Sequence, residues 1–287
     1  MLSLEEKRCV LERAYIPEHV IPLMEGLSGG EAHLLGDFLF FVGVDWLIMV
    51  GFPLRESSSP ELQSRLKEAE LRFRPERLWF VGPELPDFLE KVCLEREEDK
   101  YFRLDLRTPR GAAWAPPGKL KRLVAKAEQR FSVELKSSFD SPHRQLTREL
   151  LERADPGARV RELYRRIPSY LEQTKSAALL SAWDSRGRLA AYGFLELAPP
   201  HFSVYVAGAS SRESWAAHAS DLLVREMAHI SIQENKQFMH LGLGVNPGIS
   251  RFKRKWGGVP WMDYRACGWS MPLSATRRFL KTLGGMS

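Results

Sequence analysis

The order of apolar segments in the second half of the chain restricts the folds available to it. The predicted elements are strands at 177–183, 189–197 and 202–206, a helix at 215–234, a strand at 238–243, a short helix at 247–256 and a strand at 262–269. The first two strands flank Asp184-Ser185-Arg186-Gly187, a sequence typical of a hairpin turn. A meander followed by a long helix and further strands indicates an α/β or α+β domain.

The first half of the chain also alternates helices and strands. The predicted elements are helices at 2–15, 60–73 and 88–93 and strands at 38–42, 46–52, 78–81 and 101–106, with a loop rich in Gly and Ser before the first strand. Residues 108–118 contain three prolines and two glycines, which favours an irregular connection. The predicted domains are therefore 1–117 and 118–287. The second begins with a basic helix at 119–130, a strand at 131–139 and helices at 143–154 and 160–174.

The charge is unevenly distributed along the chain. With 44% hydrophobic residues, 27% charged residues and a net charge of +6, the composition is that of a globular protein with a basic surplus. Residues 236–287 hold nine Lys or Arg and one acid, a net charge of +8 for that segment. Such a surplus favours anionic partners, namely nucleic acid, an anionic cofactor or a membrane surface.

Several function classes are excluded by what the sequence lacks. Cys9, Cys93 and Cys267 lie too far apart for a CxxC motif or a disulfide framework. The longest apolar run, 38–54, is interrupted by two glycines and an aspartate, so it predicts paired strands rather than a transmembrane segment. The charged first ten residues do not fit a secretory signal, and a cytoplasmic location is expected. Without metal-ligand spacing, a GxGxxG or a P-loop, neither a metal nor a tightly bound cofactor is expected.

Two motifs flank the long predicted helix. Before it, the pattern Tyr-x-x-Gly-Ala-Ser-Ser at 205–211 ends a strand, and after it the segment 246–258 reads NPGISRFKRKWGG. The helix is entered without a glycine-rich loop, because Ser214, Ala217 and Ala219 precede its paired leucines. These motifs and the element order resemble the GNAT acyltransferases and, among them, the Fem aminoacyltransferases, including FemX-like enzymes, over about residues 119–269.

The resemblance implies a fold and a reaction. The expected fold is two GNAT-like lobes, each a mixed, mostly antiparallel central sheet flanked by helices, with the N-terminal lobe as a first copy. GNAT enzymes hold the CoA pyrophosphate on an Arg/Gln-x-x-Gly-x-Gly/Ala loop and protonate the leaving thiolate with a tyrosine. Here Ser214, Ala217 and Ala219 occupy the loop positions and Lys253 the tyrosine position, whereas Fem enzymes carry a Phe-Lys pair at this place. The implied activity is transfer of an aminoacyl or acyl group from an activated carrier to an amine acceptor.

Roles follow for individual residues. Lys253 is expected to neutralise the developing alkoxide of a leaving ribose or to hold a terminal phosphate, with Glu196 as the base and Tyr205 in contact with substrate. The expected donor-binding residues are Ser210, Ser211, Ala217, His218, Ala219, Asn246, Gly248, Arg251, Phe252 and Gly257. The expected phosphate-binding residues are Lys119, Arg122, Lys126, Arg254 and Lys255. The lysine and the loop without glycine favour aminoacyl-tRNA as donor, while the short chain leaves acyl-CoA or an acyl carrier protein open.

Simpler interpretations of the same residues remain open. The cations at 251, 254 and 255 also fit a solvated helix face. Asp221 and Glu226 near the start of the long helix are further candidates to orient or deprotonate the acceptor amine, but both, like Glu196, also fit solvated carboxylates. Trp256 and Trp261 are compatible with base stacking or with a place in the core. The competing function is a non-catalytic GNAT-fold binding protein for RNA or a protein partner.

Overall fold

The predicted strands pair within two compact units of the chain. The computed structural model describes residues 2–107, 114–136 and 138–270. Of these, 2–13, 28–100 and 262–270 form the first unit, and 14–27 and 101–261 form the second. No helix among the described residues combines the length and apolar composition needed to cross a bilayer.

The described residues of the first unit form three α-helices and five strands and include residues 95–100 at the start of β5 (Glu95–Asp105). The helices are α1 (Leu4–Arg13), α3 (Ser59–Phe73) and α4 (Asp87–Glu90), and the strands are β1 (Glu31–Leu35), β2 (Phe38–Val42), β3 (Trp46–Val50), β4 (Arg77–Gly82) and the end of β11 (Val259–Ser270). The strand order is β1-β2-β3-β4-β11, with β3 and β4 parallel and the other pairs antiparallel. Its core includes Phe38, Phe40, Met49, Leu66 and Phe80.

The second unit repeats this plan with more helices. Its helices are α2 (Ile21–Ser28), α5 (Gly118–Glu128), α6 (Ser141–Ala154), α7 (Ala158–Gln173), α8 (Ala219–Gln233) and α9 (Pro247–Lys255). Its strands are the end of β5 (Glu95–Asp105), then β6 (Phe131–Lys136), β7 (Ala177–Asp184), β8 (Leu189–Glu196), β9 (Phe202–Ser210) and β10 (Phe238–Leu243). The order is β5-β10-β9-β8-β7-β6, and only β9 and β10 are parallel.

Both units therefore share one topology. Each has an antiparallel meander, a helix, a strand parallel to the last meander strand, a short helix and a final antiparallel partner. A single parallel pair in each requires a helical crossover, which α3 and α8 supply. The predicted class, two mixed and mostly antiparallel lobes flanked by helices, is confirmed.

The boundary between the units differs from the sequence-based division at 117/118. The units divide between Lys100 and Tyr101, within β5, and residues 262–270 of β11 return to the first unit. Strand pairing explains this, because 101–105 of β5 pair with β10 and 265–270 of β11 pair with β4. The proline-rich connection used for the prediction lies partly outside the described residues.

Most of the predicted elements are present. The largest differences lie at the N-terminus, at the start of the long helix and in two strands: β5 begins at Glu95 rather than at 101, and β9 ends at Ser210 rather than at 206. The segment expected to be a loop contains α2 and β1. Gly26 lies within α2, a position that weakens a helix prediction, but a Cβ there would be 2.1 Å from the Tyr170 ring, so tertiary packing requires the glycine. The long helix begins at Ala219 rather than at 215, after a 3-10 turn at Ser214–Ala216 and a left-handed His218.

Candidate functional site

The parallel strands of the second unit separate after three residues. β9 pairs with β10 only at Phe202, Ser203 and Val204, whereas in the first unit all five residues of β3 pair with β4. Beyond that point β9 pairs only with β8, and β10 only with β5. We call this opening, where β9 and β10 no longer pair with each other, the splay. The first unit has no such opening in its β3–β4 pair.

Lys253 lies at the splay. Its side chain is 6% exposed, and its ammonium donates a hydrogen bond to the Leu243 carbonyl at the end of β10. A Cβ built on Gly242 would be 3.8 Å from Lys253 Nζ and 3.9 Å from the Tyr205 carbonyl of β9, so these two groups flank the same point. Gly242 follows a bulge in β10 and has φ +74°, a conformation that favours glycine. A buried cation thus lies between the diverging strands.

The sequence of α9 explains why Lys253 is buried while its neighbours are not. Asn246 caps the helix by accepting a hydrogen bond from the Ile249 N–H at 2.9 Å, and Pro247 occupies the first helical position. One face carries Phe252, Lys253 and Trp256 toward the core, whereas Arg251 and Arg254 are exposed. Gly257, with φ +85°, ends the helix. Asn246, predicted to bind the donor, therefore caps α9 in the structure, and Gly248, predicted for the same role, is exposed in the first turn.

A buried carboxylate connects α9 to the start of α8. Asp221 Oδ1 lies 2.6 Å from Lys255 Nζ and accepts a hydrogen bond from Trp256 Nε1 at 3.1 Å. Its other oxygen lies 3.1 Å from His218 Nδ1. The Asp221 side chain is only 5% exposed, so these partners compensate the cost of burying its charge. The structure therefore brings together His218 and Lys255, two residues predicted for donor and phosphate binding.

The N-terminus of α8 has no side-chain cap among the described residues. His218, the N-cap residue, is left-handed at φ +69°. The first N–H groups of a helix have no partner within the helix; Ala219 in the first turn is buried, and Ala217 before it is exposed. Helix N-termini of this kind favour anions. The predicted donor loop is placed beside Lys255, although without the glycines of the GNAT pattern.

The end of β9 carries the first motif. Burial raises the pKa of the Tyr205 phenol, so this group stays protonated at neutral pH. A Cβ on Gly208 would be 2.7 Å from the Tyr192 carbonyl, which explains the glycine of the motif. Ser210 ends the strand, and Ser211 Oγ accepts a hydrogen bond from the Glu213 N–H at 3.2 Å. Tyr205 contributes its carbonyl to the splay, while Ser211 shapes the turn leading to α8.

Glu196 is occupied by structural contacts. It is fully buried at the end of β8, accepts a hydrogen bond from the Tyr170 phenol at 2.6 Å and accepts two more from the backbone N–H groups of Leu197 and Ala198. Both carboxylate oxygens are thus engaged. Glu196, predicted as the base, therefore holds the Tyr170 phenol and the backbone after β8 in place.

The predicted phosphate-binding residues form two groups. Arg254 and Lys255 belong to α9, where Arg254 lies 5.5 Å from the centre of the Phe102 ring. Lys119, Arg122 and Lys126 are exposed on α5, and no carboxylate pairs with them among the described residues. The buried face of α5 packs in the same core as α8. The α5 cations consequently form a separate basic surface of the second unit.

His240 was missed from the sequence, where it is one histidine in an apolar strand. It is fully buried on β10 and accepts a hydrogen bond at Nδ1 from the Gly242 N–H at 3.1 Å. Burial, reinforced by the positive charge of Lys253, lowers the pKa of His240 to about 3. The ring is therefore neutral near pH 7 and adds no second positive charge beside Lys253. In the sequence, the one indication of its place is Gly242 two residues later, where β10 has a bulge.

The comparisons with known proteins identify the fold. No protein-family model and no curated protein sequence matches the chain. Solved structures do match: the arrangement is that of the two-lobed, Fem-like GNAT fold. FemX superimposes with a TM-score of 0.61 at 12% identity, covering 92% of this chain and 96% of its own.

Two other structures agree with that assignment. L-PGS from Bacillus licheniformis matches with a TM-score of 0.58 at 14% identity over 99% of this chain and 98% of its own. A tandem GNAT protein from the clavulanic acid biosynthesis pathway matches with a TM-score of 0.56 at 13% identity over 93% and 96%. At these identities the likeness establishes the fold, and the site residues must be argued from this chain.

Proposed function

We propose that this protein is an acyltransferase that moves an acyl or aminoacyl group from an activated carrier to an amine, with aminoacyl-tRNA as the favoured donor. The observation that carries the proposal is the buried Lys253 cation between the diverging strands β9 and β10. The fold-level likeness to FemX and to a tandem GNAT protein supports a transferase of this general kind.

The proposed reaction uses the splay for the acyl group. An acceptor amine attacks the ester carbonyl of the donor, a C–N bond forms, and the C–O bond to the carrier breaks. Negative charge develops first on the carbonyl oxygen and then on the leaving oxygen, which takes up the proton that the amine loses. The Lys253 ammonium is placed to stabilise either oxygen by a charge-assisted hydrogen bond, an effect that is strong in a buried site.

Donor phosphates have a proposed place beside the splay. The first turn of α8 supplies N–H groups, and Lys255 and His218 lie at the same helix end through Asp221. The exposed cations of α5 add positive charge to the unit, which suits a polyanionic carrier such as tRNA. Ser214 replaces the Arg/Gln and Ala217 the first glycine of the loop that would hold CoA, and His218 between the two alanines is left-handed; this favours tRNA over CoA.

The direct test is parallel titration of the purified protein with charged tRNA, uncharged tRNA, acetyl-CoA and a long-chain acyl-CoA at two salt concentrations. Salt-dependent binding with a preference for charged over uncharged tRNA supports the proposed donor. Saturable binding of a CoA ester alone replaces the donor and keeps the acyltransferase. Equal binding of charged and uncharged tRNA, unchanged by Lys253→Met, would favour a non-catalytic RNA-binding protein.

A further inference from the structure

A cleft between α6 and α7 is separate from the donor site. Its volume is about 380 Å³, and α6 contributes Arg144 and Arg148 while α7 contributes Arg161 and Arg165. Each pair is spaced four residues apart, so both arginines of a helix project from the same face. Glu152 is the single carboxylate among the lining residues, against four arginines. Two helices thus direct positive charge into one cleft.

The two sides of the cleft are not equivalent. Arg161 is held by Asp155 at 2.6 Å and Arg165 by Glu162, also at 2.6 Å, so both α7 arginines have acidic partners. Arg144 and Arg148 have no ion pair or hydrogen bond among the described residues and are exposed. Like charges one turn apart on a helix repel each other. The Arg144 and Arg148 guanidinium groups are therefore accessible to an anionic ligand.

Apolar and aromatic groups line the rest of the cleft. They are Phe139, Leu151, Pro168 and Tyr164, with Thr147 beside them. Burial raises the pKa of Tyr164 to about 12, so its phenol remains a donor. It donates to the Gly208 carbonyl of β9 at 2.9 Å. One edge of β9 borders the splay. Tyr164, which lines the cleft, is therefore hydrogen-bonded to the strand that borders the proposed reaction site.

We propose that this cleft binds the acceptor substrate through an anionic group, a phosphate or a carboxylate, attached to an apolar portion. Arg144 and Arg148 recognise the anion, since guanidinium groups bind phosphate and carboxylate oxygens by paired hydrogen bonds. Phe139, Leu151 and Pro168 contact the apolar portion. The inference rests on the proposed transferase function, because that function is what requires an acceptor near β9.

The test uses octyl phosphate below its micelle concentration, with octyl glucoside as the uncharged probe of equal chain length. Calorimetric titration should show binding of octyl phosphate to the wild-type protein and at least tenfold weaker binding to the Arg144→Gln/Arg148→Gln variant. Arg153→Gln, which removes an exposed cation of the same helix outside the cleft, is the matched control and should bind like wild type. Octyl glucoside should bind none of the three.

Several outcomes would overturn the cleft assignment. They are no binding of octyl phosphate to wild type, equal binding by the double variant, or an equal loss in Arg153→Gln. Sedimentation with vesicles of phosphatidylethanolamine, which carries a phosphate, an amine and acyl chains, that depends on Arg144 and Arg148 would assign a lipid acceptor. Binding of octyl phosphate without such sedimentation would assign a soluble acceptor, and both outcomes support the site. Lys253→Met should leave octyl phosphate binding unchanged, so failure of the cleft and failure of the proposed donor site are separable.

Discussion

Replacement of Lys253 by methionine removes the buried cation and keeps most of its aliphatic volume. If the ammonium contacts the donor, the variant loses a charge-assisted hydrogen bond of about 1.5–3 kcal/mol. At about 1.4 kcal/mol per tenfold, donor binding or the rate of transfer falls roughly 10- to 150-fold. The free energy of unfolding falls by less than the free energy of donor binding. The Leu243 carbonyl loses its donor, which costs about 1–3 kcal/mol, but the desolvation cost of the charge also disappears.

Lys236→Met is the matched control, because Lys236 is a second partly buried lysine whose ammonium donates to backbone carbonyls, those of Leu197 and Pro199 at 2.8 and 2.6 Å. Retention of charged tRNA on filters would measure donor binding, loss of the aminoacyl group would measure transfer, and thermal unfolding would measure stability. We expect both variants to unfold a few degrees below wild type and only Lys253→Met to lose binding or transfer. Equal function in the two variants, after correction for folded fraction, would refute the assignment of Lys253.

Three further predictions concern the residues around the site. Asp221→Ala leaves Lys255 without its carboxylate and should lower the free energy of unfolding, measured with urea, by about 2–4 kcal/mol. This loss is slightly smaller than the usual loss for a buried ion pair because Lys255 is partly exposed. His240 is neutral when folded and protonates more readily when unfolded, so its contribution is complete above about pH 6.5 and is lost as the pH falls toward about 3. Stability should therefore fall by about 1 kcal/mol between pH 7 and 5.5 through this residue, and His240→Gln should lack that component. Gly208→Ala places a methyl group 2.7 Å from the Tyr192 carbonyl and should destabilise by about 1–3 kcal/mol, whereas Gly118→Ala, at an exposed position with nothing within 4 Å of the added Cβ, should change the melting temperature little.

The motif at 246–258 shows how far local sequence reasoning extends. The sequence predicts a short helix at 247–256, and the structure confirms it as α9. Asn246 caps this helix and Gly257 follows its end, since capping depends on residues a few positions apart. In the sequence, Lys253 is one of three consecutive basic residues and has the same local signature as its neighbours. Its burial depends on where β9 and β10 diverge, which the sequence around it does not encode.

The predicted site residues also divide into those that the structure places at the site and one that it does not. Lys253, Tyr205, His218 and Lys255 were placed by a family resemblance, and the structure puts them in contact with the splay or with the start of α8. Glu196 satisfied the same resemblance, yet its oxygens are engaged by Tyr170 and two backbone N–H groups. A local sequence pattern does not predict a hydrogen bond between residues 26 positions apart.

The sequence by itself determined the elements of this protein and their order, because apolar periodicity, caps and turn residues act within a few positions of one another. It also determined the fold class, since few arrangements satisfy a meander, a helix and a parallel strand. The tertiary structure alone decided the exchange of β5 and β11 between the units, the splay, and the convergence of arginines from α6 and α7. Each of these results from pairing or packing of residues distant in the chain, where register and through-space charge decide the outcome.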